Sequence, residues 1–403
     1  MKILYCHDNI YLTNSEGDAF SEGQFSYAYW APYIKICDEL IVAGRGREIS
    51  DDDDYSALNR SDGENVRIET LPNMNSAVGL LQNRGDVLER VQELVEEADG
   101  IIVRTMSEIG WLAFKHAKKL GKPIAHEVAG CPWDNTWNHG SFLAKAYAPI
   151  RAKRMRYLAK NADYVLYVSK DFLPNRYPAK GETAIASNVR IEKPSPSVLE
   201  RRLERIQSSR SPNLPYEIGL IGHLDHKLKG IGVAIEALSI LNKSQSTHKF
   251  ELKILGPGQA SNYRHLVREY DLQGSVRFDG ALPSGKPVLE WLDHVDLYVQ
   301  PSFHEGVPRA TIEAMSRGCP AFGSNAGGIP ELLEDSYIHS AGDAQTLAEQ
   351  ILKSVTDNTL QAQAETNFKK SMEYTQDVLE PIRDNFWQSF AQFIKDRNKD
   401  IAA

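Results

Sequence analysis

Short apolar, β-branched runs alternate along the chain with longer stretches whose apolar residues recur at helical spacing. This alternation predicts parallel strands joined by crossover helices, an α/β architecture. In the first half the runs predict strands at Lys2 to His7, Glu39 to Ala43, Val66 to Thr70, Gly100 to Arg104, Pro123 to Val128 and Asp163 to Val168. One intervening helix has readable ends: Ser107 as N-cap, apolar Trp111, Phe114 and Ala117, then Lys118, Lys119 and the terminating Gly121. Serine accepts from a free amide, glycine relieves a left-handed exit, and the lysines complement the dipole.

Beyond Ile191 the text turns rich in proline, serine and basic residues, EKPSPSVLERRLERIQSSRSPNLP, which reads as a linker. The division is therefore residues 1–195, a linker over 196–214, and a second α/β domain over 215–377. That second domain is predicted from runs at Tyr216 to Ile221, Phe250 to Leu255, Val276 to Asp279 and Val295 to Gln300, with a helix from about Lys229 to Asn242. In the last segment, 378–403, Trp387, Phe390, Ala391 and Ile394 form an apolar stripe expected to pack back on the first domain. Two doubly wound domains in tandem leave a cleft between their strand carboxyl ends, where open α/β sheets bind ligands.

Composition narrows the partners. The 403 residues are 42% hydrophobic and 25% charged, which excludes collagen-like, mucin-like and wholly disordered chains. With 46 basic against 54 acidic side chains the net charge is −8, the wrong sign for an electrostatically driven nucleic-acid binder. The start, MKILYCHD, is too short and polar for a secretory segment, and no window approaches the roughly 18 apolar residues of a spanning helix. Cys6, Cys37, Cys131 and Cys319 are scattered without paired spacing, so a cytoplasmic chain with neither disulfide framework nor zinc site is expected. The run Asp51 to Asp54 lies in a polar stretch and reads as a solvated loop rather than a metal site.

The densest chemistry follows the predicted strand VDLYVQ, in PSFHEGVPRATIEAMSRGCPAFGSNAGGIPE. Pro308 suits the first turn of a helix that ends near Gly318, so the loop HEGV caps a dipole that attracts phosphate or sugar oxygens. A second turn, Asn325 to Pro330, is expected to offer amides at Gly327 and Gly328 before another helix. Glu305 and Glu313 flank the first turn. By spacing alone they read as a dipole partner and an exposed helix residue.

In context this segment resembles the family 4 glycosyltransferases: Glu305 and Glu313 meet that family's Glu, seven residues, Glu motif, followed by GSNAGGIPELL. Upstream, GLIGHLDHKLKG and ILGPG resemble the family's phosphate-side segment and glycine turn, and AHEVAGCPWDNTWNHG looks like members that build bacterial surface polysaccharides. The resemblance implies the GT-B fold, two Rossmann-like domains facing across a cleft. It further implies a metal-independent, retaining hexosyltransferase that takes a UDP- or GDP-sugar, needs no cofactor, and serves a glycan or polyprenyl-diphosphate-linked acceptor. Glu305 would then hold donor-sugar hydroxyls, Glu313 the ribose diol, and Lys229 the diphosphate, with Lys227 in reserve. Gly222, His223, Gly306, Val307, Arg309, Gly327 and Gly328 complete the expected donor site, and Gly23 stands where the family has a phosphate-touching turn.

Three departures are visible. The usual Arg before the Lys is His223; Arg309 either compensates by pointing into the phosphate site or sits on the helix surface. Pro308 removes one amide donor. Aligning HEVAG by its glycine puts Ala129 where many members carry a His, leaving His126, Glu127 or His139 as substitutes. On the acceptor side Trp133, Asp134 and His139 are candidates, the tryptophans for stacking on sugar faces. Finally, Lys145, Arg151, Lys153, Arg154, Arg156 and Lys160 fall in one acid-free stretch, with Met155, Leu158, Ala159 and Ala162 on one helical face. Such a helix either lies on an anionic membrane at the inner face or packs in the core with its bases solvated. The rival functions are a GT-B nucleotide-sugar epimerase and a non-catalytic carbohydrate-binding protein.

Overall fold

In the computed structural model, which describes residues 1–402 except 24, 51–57, 75–78, 80–81, 106, 139–141, 209–213 and 245, the chain forms two mainly parallel sheets. His139 and the run Asp51 to Asp54 lie outside the described residues. The first sheet comprises β1 (Lys2–Thr13), β2 (Ala19–Ser21), β3 (Glu39–Glu48), β4 (Asn59–Arg60), β5 (Val66–Leu71), β6 (Gly100–Arg104), β7 (Ile124–Val128), β8 (Tyr164–Tyr167) and β9 (Glu182–Ile185). Its parallel order is β5-β3-β1-β6-β7-β8-β9, with β2 and β4 added antiparallel. The second holds β10 (Tyr216–Ile221), β11 (Phe250–Leu255), β12 (Val276–Gly280), β13 (Leu297–Gln300), β14 (Ala321–Ser324) and β15 (Ile338–His339), parallel in the order β12-β11-β10-β13-β14-β15. Strand order reverses at β1 and β6 in one sheet and at β10 and β13 in the other, so each has a crevice at its carboxyl edge.

The strands β6 and β7 are buried along their whole length, as expected where helices cover both faces of a sheet. The helix Glu108–Leu120 begins with Ser107 Oγ accepting from Gly110 N–H and ends at Gly121 with φ 69°. The strands β1 and β3 run further than the apolar pattern predicts, to Thr13 and Glu48. The reason is a register shift between Cys6 and Ile10: polar Asp8 and Asn9 interrupt the alternation, and buried Tyr11 and Leu12 resume it.

The segment read as a linker contains a helix, Pro196–Gln207, capped by Ser195. Its Arg202, only 3% exposed, donates to the carbonyls of Leu292, Val295 and Arg317, and Arg205 pairs with Asp296 at 2.8 Å. A basic segment read as a linker is thus a helix fastened to the second domain by arginines that satisfy carbonyls at and just beyond helix ends.

The last helix, Gln376–Ala402, lies against the first sheet: Trp387 meets Tyr33 with ring centroids 5.1 Å apart, Tyr164 packs on Phe386 and Phe390, and Arg383 donates to the Ser187 carbonyl. The two halves also meet at the crevice. Glu331 accepts from the amides of Lys170 (2.6 Å), Asp171 (3.1 Å) and Phe172 (2.7 Å), and Asn138 donates to the Phe303 carbonyl at 2.9 Å. Among the described residues no helix is long and apolar enough to cross a membrane.

Candidate active site

Each sheet contributes a loop at its switch point. After β10 the chain turns through Gly222 into a short helical turn, Lys227–Lys229, closed by Gly230 at φ 70°. A Cβ on Gly230 would lie 1.9 Å from the Pro301 carbonyl oxygen, so only glycine lets this turn approach the loop after β13. That approach brings Lys229 Nζ to 2.8 Å from Glu305 Oε1. Ser302 Oγ donates to the same oxygen at 2.8 Å and Gln300 Nε2 at 3.3 Å, while the Tyr298 hydroxyl donates to the Gln300 side-chain oxygen Oε1 at 2.6 Å. Glu305 is 7% exposed, and this set of donors fixes its carboxylate before any ligand arrives.

Around this pair lies a cavity of about 440 Å³. Lys229, Glu305, Gly306, Val307, Arg309, Glu313 and Gly222 line it from the C-terminal half, and Arg104, Ala129, Val168 and Asn188 from the N-terminal half. Glu313 projects from the helix Arg309–Ser316, whose N-cap is Pro308. Burial pushes its carboxyl above the ordinary value of 4.5, with the Arg309 guanidinium opposing the shift. Two carboxylates, two cations and a helix N-terminus therefore share one wall, a combination suited to hydroxyls and phosphate oxygens together.

On the other side of Glu305, His304 lines a second cavity of about 300 Å³ with His7, Asn9, Thr105, Asn135 and Arg151. Burial lowers the His304 pKa, the nearby carboxylates of Glu305 and Asp134 acting the other way, and its Nδ1 is buried without a hydrogen-bond partner. Arg104 lines both cavities. Its guanidinium is held through Nη1 by Glu127 Oε1 and Tyr29 Oη, beneath the rings of Phe25 and Tyr29. Among the described residues there is no group of three or more His, Cys, Asp and Glu placed to hold a metal ion.

The remaining sequence candidates fall elsewhere. His126 is fully buried, lines neither cavity, and is pushed down to about 3 by burial, so it stays neutral inside the sheet. Glu127, one residue along the strand, serves Arg104 instead and accepts from Tyr5 (2.7 Å) and Tyr33 (3.1 Å). Burial works against its ionisation, but Arg104 and the Tyr5 hydroxyl hold the carboxyl below the usual range. Gly327 and Gly328 pack on the Glu305 loop: a Cβ on Gly327 would lie 2.0 Å from the Glu305 carbonyl oxygen, and the Gly328 amide is spent on the Gly306 carbonyl at 2.7 Å. The helix expected after them is only a single turn, Ile329–Glu331.

Lys227 is exposed, and His223 packs on His226 at 4.4 Å within its own turn; neither lines the larger cavity. Gly23 lies outside both cavities and accepts from Asn59 Nδ2. Trp133 stacks on Trp137 at 5.4 Å and Asp134 pairs with Arg176 at 3.0 Å, beside the smaller cavity but not on its wall. Sequence reasoning missed Arg104 and His304. The available signal for Arg104 was a lone cation ending the apolar strand GIIVR at the switch point.

Residues 215–357 match the family described as Glycosyl transferases group 1. This match supports a glycosyltransferase activity. Over its whole length the chain is 27% identical to CapJ of Staphylococcus aureus, across 398 residues covering 98% of this chain and 97% of that protein. It is 34% identical to the amylovoran biosynthesis glycosyltransferase AmsK of Erwinia amylovora over 188 residues, 42% of this chain and 45% of the relative. The solved structure of Anabaena HepE in complex with UDP-glucose superposes with a TM-score of 0.61 at 16% identity, covering 98% of this chain and all of that one. The fold of this glycosyltransferase is GT-B.

Proposed function

We propose that this glycosyltransferase moves a hexose, with retention of configuration, from a UDP- or GDP-sugar to a glycan or lipid-linked glycan during bacterial surface polysaccharide synthesis. The observation that carries the reading is the Glu305 carboxylate, braced by Lys229, Ser302 and Gln300 on the wall shared with Glu313 and Arg309. In this reading Glu313 takes the ribose diol, Lys229 and Arg309 face the diphosphate, and Glu305 orients the donor-sugar hydroxyls. The cations would stabilise the leaving diphosphate as its charge grows, the preorganised role that contributes most to such transfers. The acceptor enters by the smaller cavity, past His304 and Arg104. Its hydroxyl attacks the anomeric carbon from the face the phosphate leaves: the new C–O bond forms as the donor's C–O bond breaks, and the proton passes to the departing phosphate oxygen.

The same reading places the acceptor on a membrane-anchored polyprenyl diphosphate. The helix Phe142–Asn161 supports this differently from its sequence pattern, because Met155, Leu158, Ala159 and Ala162 are buried in the core. Its outer side instead carries Phe142 and Leu143, 82% and 78% exposed, with Ile150 and the bases Lys145 and Lys153. An apolar tip among bases fits an anionic bilayer surface. Pelleting with anionic vesicles, lost in Phe142→Asp/Leu143→Asp, tests the membrane contact.

The function is tested by nucleotide-sugar turnover in EDTA with a panel of UDP- and GDP-sugars and a lipid-linked acceptor extract. Product with the donor's anomeric configuration is expected. Epimerised donor, or binding without turnover, would favour the rival functions.

A further inference from the structure

The wall that the N-terminal half gives to the larger cavity is formed by Arg104, Ala129, Val168 and Asn188. It closes over the Glu305 end. A Cβ on Gly306, the residue after Glu305, would lie 2.5 Å from the Ala129 carbonyl oxygen and 3.3 Å from the Val168 side chain. Of the side chains on this wall, only those of Arg104 and Asn188 can hydrogen-bond a ligand.

Both keep groups that the protein does not use. Arg104 ends β6 and pairs in register with Glu127 of β7. Its hydrogen bonds to described residues, to Glu127, Tyr29 and Tyr5, all leave from Nη1. Nε and Nη2 carry the donors that remain, and neither is sealed from solvent, so this edge of the guanidinium is open where Arg104 lines the two cavities. Asn188, in the loop after β9, is half-buried, and its side-chain amide bonds to no described residue. It also lines a small pocket with Tyr29 and Glu127, which makes it a neighbour of the groups that hold Arg104. Polar groups fixed in a cleft without protein partners are those a ligand satisfies.

We propose that Arg104 and Asn188 are the donor-sugar contacts of the N-terminal half, gripping sugar oxygens across the cavity from Glu305. The assignment rests on the glycosyl-transfer reading of this cavity. Chemistry divides the two walls: the Glu305 carboxylate accepts from sugar hydroxyls, the guanidinium only donates and needs an oxygen lone pair, and the amide does either. The sugar is thereby read from both halves and the nucleotide from the C-terminal half alone. Because Arg104 lines both cavities, the same contact sets the sugar beside the incoming acceptor hydroxyl.

The test uses the full chain and separates sugar from nucleotide. Calorimetry gives the affinity for bare UDP and GDP, and initial rates give transfer from a panel of UDP- and GDP-hexoses to a lipid-linked acceptor extract. Arg104→Lys keeps a cation for Glu127 but loses the fork, and should cut kcat/KM for the sugar nucleotide about 10–100-fold, the scale of a hydrogen bond to a charged group. Asn188→Ala removes an amide with no protein partner among the described residues, so its fold is kept, and should cost about five-fold, the scale of a neutral hydrogen bond. Both variants are expected to bind the bare nucleotide as the wild type does, with thermal melting reporting an intact fold. Rates that either variant keeps, or an equal loss of bare-nucleotide affinity, overturn the assignment and leave the transfer reading standing. No transfer by the wild type from any donor overturns that reading, and the assignment with it.

Discussion

Lys229 and Glu305, 76 residues apart in sequence, meet at 2.8 Å across the carboxyl edge of the second sheet. The pair compensates a carboxylate that has little access to water, and it places a cation where a diphosphate needs one. Removing one partner of such a pair strands the other, whereas removing both is far less costly. Lys229→Met should therefore lower thermal stability more than the double variant Lys229→Met/Glu305→Gln. Each single substitution should also cut transfer about 10²-fold or more, the scale of losing a preorganised stabilising group. Melting curves and initial rates of all three variants check both statements.

Glu313 is pushed up by burial, so its neutral form is favoured in the folded protein. The sign follows: its contribution to stability is fully present below the unfolded pKa and is lost as pH rises through the raised folded value. Glu313→Gln should accordingly raise the melting temperature near pH 7. A ribose diol donates to the ionised form, so nucleotide affinity should fall on acidification through the region above 4.5, and the Gln variant should bind weakly with that dependence gone. Calorimetric titrations between pH 4.5 and 7.5 read both effects.

Glu331 holds the two halves together through three amides, those of Lys170, Asp171 and Phe172. Glu331→Ala leaves these donors to water and is expected to loosen closure without disturbing either core. Small-angle scattering should show a larger radius of gyration. Acceptor-dependent transfer should fall more than donor hydrolysis, because closure excludes water from the reacting centre.

Trp387 is fully buried against Tyr33 of the first domain. Trp387→Ala removes a large side chain from a packed site, and a loss of about 3–5 kcal/mol is expected. Chemical denaturation followed by circular dichroism measures it; a loss under about 1 kcal/mol would mean the last helix adds little to the first domain.

The strands and their parallel order class were legible because buried parallel strands are written as near-continuous apolar runs, as in GIIV and YVLY. The cap at Ser107 and the stripe on the last helix were equally local. The bulge at Asp8 and Asn9 was not, since a register shift looks like the end of a strand. The helix Pro196–Gln207 was hidden for another reason: proline and serine that mark a linker also mark an N-cap, and Arg202 is buried only because carbonyls elsewhere in the fold need it. Within the site, Glu305, Glu313, Lys229 and Arg309 were readable because they sit on two contiguous motifs. Arg104 becomes a neighbour of these residues only when the sheets face each other, and no spacing within one segment records that; His304 directly precedes Glu305, but the wall it shares with His7, Thr105 and Asn135 forms only through the same meeting of the sheets. His126 shows the converse, a residue promising by type that the strand turns into the core.

The cavity bearing Lys229, Glu305 and Glu313 is expected to hold a nucleoside diphosphate sugar. Thermal shift with UDP, GDP, ADP and their sugar conjugates, for the wild type and Glu313→Ala, tests it most directly. A ligand at 100 times its dissociation constant adds about 2.7 kcal/mol of stability, well within the range of the measurement. One nucleotide family is expected to shift the wild type, and Glu313→Ala to abolish that shift. No shift by any nucleotide, with or without Mg²⁺ or Mn²⁺, or an equal shift in the variant, would contradict it.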